Sequence, residues 1–149
     1  MGEACFPSRL LELNDATRCT LERLETAEAA ADRRGQLERL RAHYAALRQV
    51  ETSHLEPLLL NQDATRHQAM AYRKACGRVT PMVEALERTS VTDPAFDRLL
   101  GRFVDAFRRV LDRGAELLNL LDRLLSAEHR QVLSEAIADA VPASLYARA

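Results

Sequence analysis

Apolar residues recur three and four positions apart along almost the whole chain, the spacing that lines one face of an α-helix. A first stripe reads Leu10, Leu13 or Asn14, Thr17, Leu21 and Leu24, with Ser8 placed to cap it. Asp32-Arg33-Arg34-Gly35 predicts its end, because basic residues and a glycine suit a helix C-terminus. A second stripe runs through Leu37, Leu40, Tyr44, Leu47, Glu51, His54 or Leu55, and Leu58. Asn61-Gln62-Asp63 breaks the pattern, and Asp63 is placed to cap a third helix carrying Met70, Cys76, Val79, Val83 and Leu86. In that helix Pro81 cannot donate to the carbonyl of Gly77, which predicts a kink that packing would absorb.

Thr92-Asp93-Pro94 is a strong start signal, since Asp caps and Pro fits the first helical position. The fourth helix then runs from Phe96 through Leu99, Leu100, Phe103, Phe107, Val110, Leu111, Leu117, Leu118 and Leu121 to Leu124. Ser126 is placed to cap a short fifth helix, Val132 to Ala140, ahead of Pro142 and a frayed tail. No stretch alternates apolar and polar residues as a half-buried strand would. Short connections favour antiparallel neighbours. The expectation is an all-α chain, one domain over residues 1–149 with its core at about 9–140, folded as an up-down-up-down four-helix bundle with a short C-terminal fifth helix.

Composition narrows the function without naming it. Hydrophobic residues make up 47% of the 149 residues, too many for a disordered chain. The formal net charge of −1 offers no global field to recruit nucleic acid or an acidic membrane. Lys74 is the one lysine among 21 basic residues, a bias toward Arg that reads as high-GC, bacterial coding. Cys5, Cys19 and Cys76 have no metal-ligand spacing, and an odd number of cysteines suits a reducing compartment. Met1 to Arg9 lacks the basic and apolar regions of a secretory leader, and no run is apolar enough to span a membrane. The expectation is a cytoplasmic protein without nucleic-acid or membrane partners.

Nucleophile elbows, phosphate loops, dinucleotide fingerprints and zinc motifs do not occur, so no enzyme class is indicated. One constellation draws notice. Glu51-Thr52-Ser53-His54 sets a carboxylate and an imidazole one helical turn apart, a step that bundle di-metal sites use. Asp112 and Glu116 repeat a one-turn acidic step on the fourth helix. The plain reading of both is polar residues at a bundle edge. Arg66, Arg73, Lys74 and Arg78 form a basic stretch without interleaved aromatics, which reads as a solvated face.

The order of segments resembles the hemerythrin-like (HHE cation-binding) family over about residues 9 to 133. Leu21-Glu22-Arg23-Leu24-Glu25 and Val83-Glu84-Ala85-Leu86-Glu87 resemble the ends of the family's first and third helices, which places Asn14 and Cys76 at histidine positions. Leu55-Glu56-Pro57-Leu58-Leu59 resembles the end of its second helix, with Glu51 matching and Leu47 at a histidine position. On the fourth helix Asp112 and Glu116 fall at the His and Glu positions. The resemblance implies a bundle built around two irons, with Asn14, Leu47, Cys76 and Asp112 replacing its histidines. Three readings follow. The first is a non-enzymatic binding or regulatory module that has lost its di-iron centre and carries no cofactor. The second is an iron-binding bundle with a rebuilt site of Glu51, His54, Asp112 and Glu116, with Cys76 as a further ligand. The third is a homo-oligomeric helical adaptor. The partner in the first and third is another protein or a second copy.

Overall fold

The computed structural model describes residues 6–142, and all regular structure among them is helical. Cys5 and the tail beyond Pro142 lie outside the described residues. Helix α1 spans Ser8–Thr26 and α2 spans Ala30–Val50. A single π turn, Glu51–Leu55, leads into the short α3, Glu56–Leu60. Helix α4 is Asp63–Arg88, α5 is Pro94–Leu124 and α6 is Ala127–Ala140. None of these helices is long and apolar enough to cross a membrane.

Asp93 and Ser126 behave as their sequence positions predict. Asp93 Oδ1 accepts from the Ala95 amide at 2.9 Å, and Ser126 Oγ accepts from the His129 amide at 3.2 Å. Other boundaries differ from expectation. The first helix ends at Thr26, and the turn is Ala27-Glu28-Ala29, which contains no helix breaker. A tertiary clasp holds it: Arg33 donates through Nε to the Ala27 carbonyl at 2.9 Å and through Nη1 to the Val91 carbonyl at 3.3 Å. Gly35 lies inside α2, and no glycine among the described residues has positive φ. Ser8 and Asp63 are first helical residues rather than caps, with Pro7 and Gln62 before them. Asp63 instead meets Arg66 at 3.1 Å. Helix α4 runs uninterrupted through Gly77 and Pro81. Helix α6 begins five residues before the predicted Val132, at Ala127.

The π turn follows from Pro57, which offers no amide to Ser53 and crowds the carbonyl four residues back. A widened turn just before it relieves both conflicts and re-aims the side chains of residues 51–55. Glu51 and Leu55 are thereby buried, and His54 is half-buried.

The core is Leu-rich with an aromatic centre on α5. Phe96, Phe103 and Phe107 are fully buried; Phe103 stacks on Phe107 at 5.2 Å between centroids, and Tyr44 meets Phe107 edge-on at 5.4 Å. Met70 was expected inside but is 57% exposed, because Ala69 and Tyr72 take the inward positions of that turn. Helix α1 packs on α2 and α5, and α4 packs on α5. Arg18–Asp112 (2.7 Å) and Arg108–Glu25 (3.2 Å) tie α1 to α5. Arg41–Glu87 (2.9 Å) and the Tyr44 hydroxyl, which donates to the Cys76 carbonyl at 3.1 Å, tie α2 to α4. Helix α6 packs across α1 and α2.

Two glycines of α5 test this packing. A methyl group at exposed Gly101 would meet nothing within 4 Å, whereas one at Gly114 would sit 3.1 Å from the Tyr72 hydroxyl. Replacing glycine inside a helix stabilises by about 0.5–1 kcal/mol when space allows. Gly101→Ala is expected to raise the melting temperature by about 2–4 °C. Gly114→Ala is expected to gain less or to lose stability, and equal gains at both sites would contradict the packing described.

Candidate functional site

The two buried carboxylates sit where the π turn faces α4, apart from a second buried polar pair, His43 and Thr20, between α2 and α1. Glu51 and Glu56 are both buried, and one guanidinium serves them: Arg48 Nη1 lies 3.4 Å from Glu51 Oε2 and its Nη2 lies 3.2 Å from Glu56 Oε1. Arg73 approaches Glu56 from α4 at 3.8 Å. The Tyr72 hydroxyl and the Cys76 thiol both lie beside Glu51. Tyr72 and Cys76 stand four apart on α4, so the helix repeat alone puts them on one face.

Leu47, Glu51, Glu56, Tyr72 and Asn14 line a cavity of about 30 Å³, whose remaining wall is mainly leucine from α1, α3 and α5. That volume is enough for one or two waters. Both amide atoms of Asn14 are engaged at its edge. Its Nδ2 donates to the Leu111 carbonyl at 3.1 Å, and its Oδ1 accepts from Arg18 Nε at 2.9 Å.

Burial sets the acid–base character of the cluster. It pushes the Glu51 carboxyl up to about 7, against the opposing pull of the Tyr72 hydroxyl and Arg48. It also pushes the Cys76 thiol up to about 11, with Glu51 adding to the effect, and the Tyr44 phenol up to about 12. Cys76 is therefore a neutral thiol at physiological pH, a weak nucleophile and a weak metal donor. The Glu51 shift carries a sign. Between 4.5, its ordinary value, and about 7, the folded chain keeps a proton that the unfolded chain has released. This contribution to stability is full below the lower value, falls by up to ~1.4 kcal/mol per pH unit across the window, and is lost above it. Glu51→Gln is expected to flatten the dependence of urea-unfolding stability on pH across that window. An unchanged slope would show that Glu51 titrates normally.

The structure does not bring the four residues of the rebuilt iron site together. Glu51 faces inward, and His54 is half-buried on the π turn. Asp112 is exposed on the α1 flank of α5, held by Arg18, and Glu116 is exposed in a shallow groove with Gln68, Ala71, Arg113 and Leu117. The inward positions of that stretch belong to Leu111, Leu117, Leu118 and Leu121, so the register that turned Asp112 and Glu116 inward is corrected. Among the described residues, no three His, Cys, Asp or Glu side chains converge closely enough to hold a metal ion. Of the positions at which the resemblance would set histidines, Asn14 and Leu47 line the cavity and buried Cys76 adjoins Glu51.

Sequence reasoning overlooked Arg48, Glu56, Tyr72 and Gly114. A signal existed for Arg48, three residues before Glu51, and for Tyr72, four before Cys76. Glu56 was hidden by the π turn. No family model matches this chain, and no curated protein or solved structure matches it.

Proposed function

We propose that this chain is a non-enzymatic binding or regulatory module of hemerythrin-like architecture, in which an arginine takes the place of the metal at the centre. The architecture in this reading is an up-down-up-down four-helix bundle of α1, α2, α4 and α5 with α6 laid across it. Connections of two to five residues and the ties α1–α2, α2–α4, α4–α5 and α5–α1 support that arrangement.

The observation that carries the proposal is Arg48 bridging Glu51 and Glu56 beside the cavity that Asn14 and Leu47 line. Two buried carboxylates need a cation, and a guanidinium with its fork of donors answers both without a metal. The donor set argues the same way. Asn14 is already bonded through both amide atoms, Leu47 offers no donor, Cys76 holds its proton, and Asp112 and Glu116 face outward. Iron pairs in such bundles need several imidazoles or bridging carboxylates converging on one point.

Protein purified from iron-supplemented cells is expected to contain well under one equivalent of iron and to lack an oxo-bridged charge-transfer band. Two irons per chain, lost on Glu51→Ala or Glu116→Ala, would overturn the proposal in favour of an iron-binding bundle built on Glu51, His54, Asp112 and Glu116.

A further inference from the structure

We propose that the outward faces of α4 and α5 form a docking ridge for an acidic helix of a partner protein. Six cations stand there: Lys74 and Arg78 on α4, and Arg98, Arg102, Arg109 and Arg113 on α5. All are exposed, and none makes an ion pair with a carboxylate among the described residues. Cations elsewhere are often paired, as in Arg18–Asp112, Arg33–Asp97, Arg41–Glu87 and Arg108–Glu25. Asp105 and Glu116 on α5 and Glu84 on α4 are the exposed carboxylates nearest these cations, which still outnumber them two to one on a chain of net charge −1.

Among the described residues, the packing leaves that face uncovered. Helix α5 turns one flank to α1 through Arg108 and Asp112, and α4 turns one flank to α2 through Thr80 and Glu87. Helix α6 packs on α1 and α2, away from the ridge. At one end of it, Gln68, Ala71, Arg113, Glu116 and Leu117 border a shallow groove of about 200 Å³.

Spacing identifies the occupant. Lys74/Arg78, Arg98/Arg102 and Arg109/Arg113 are one-turn pairs, matching carboxylates one turn apart on a partner helix. From Arg98 to Arg113 the ridge runs about 22 Å at ~1.5 Å per residue. The guanidinium fork pairs bidentately with carboxylates. A nucleic acid is the poorer fit, because Tyr72, Phe96, Phe103 and Phe107 are all buried and give bases no platform to stack on. This inference gives the binding-module reading its partner, and the ridge can succeed or fail whatever the iron content proves to be.

The test measures fluorescence anisotropy of a labelled helical peptide of about 15 residues with glutamates at one-turn spacing, titrated with the full chain at low salt. The triple variant Arg102→Glu, Arg109→Glu, Arg113→Glu is expected to weaken binding at least about tenfold. The control triple Arg23→Glu, Arg34→Glu, Arg41→Glu changes the net charge equally at exposed sites on α1 and α2, off the ridge, and is expected to stay within about twofold. Circular dichroism confirms that both variants remain helical. Equal losses in the two triples, or no saturable binding of the peptide, would overturn the proposal. So would a duplex DNA oligonucleotide that displaces the peptide and depends on the same three arginines.

Discussion

Arg48→Met is expected to destabilise the chain by about 2–4 kcal/mol at about pH 8.5, because it leaves Glu51 ionised in the interior without its cation. The loss should appear as a fall in melting temperature of roughly 6–12 °C. Glu56 is affected less, since Arg73 also approaches it, whereas Glu51 retains only the Tyr72 hydroxyl and its own protonation. Protonation makes the effect depend on pH. At about pH 6 the Glu51 carboxyl is neutral in the variant and largely neutral in the parent, so the loss should shrink to about 1 kcal/mol. Glu51→Gln keeps the shape and one acceptor, and is expected to stay within about 1 kcal/mol of the parent. Thermal melts of both variants at the two pH values distinguish a charge effect from a packing effect. An Arg48→Met loss of equal size at both would mean that only its alkyl packing matters.

Phe107→Ala is expected to cost about 3–5 kcal/mol, through lost burial and the cavity left behind. The ring is fully buried and touches both Phe103 and Tyr44, so it joins the α5 core to α2. Tyr44 in turn donates to the Cys76 carbonyl, and its displacement would loosen the α2–α4 tie beside the polar cluster. The urea midpoint should fall at both pH values alike, because no titratable group is stranded. A loss below about 1 kcal/mol would show that the aromatic centre is not the core of the fold.

Much of the fold was legible because its determinants are local. Asp93-Pro94 and Ser126 mark their helix starts through their own side chains and ring, and the apolar stripe of α5 reads into its buried face except at half-buried Leu99 and exposed Leu124. The first turn was not legible, because Ala27-Glu28-Ala29 is held by Arg33, a residue that acts from beyond it. Gly35 misled for the complementary reason: glycine permits a helix end without requiring one. The site was half legible. Glu51 was singled out and is buried, while the carboxylates paired with it in the sequence reading face solvent. The true neighbours depend on a π turn that shifts residues after Glu51 off the regular helical repeat, which is how Glu56, five residues on, comes to share Arg48 with it. No periodicity count contains that shift.

The claim that Arg48 serves as the cation of the interior is tested most directly by a double-mutant cycle on Arg48→Met and Glu51→Gln, read by urea unfolding at about pH 8.5. If Arg48 is there to neutralise Glu51, adding Glu51→Gln to Arg48→Met should restore at least half of the stability that Arg48→Met removes, because the double variant buries no uncompensated charge at that position. If the two losses instead add to within about 0.5 kcal/mol, the residues act independently, and the arginine-for-metal account of this interior is wrong.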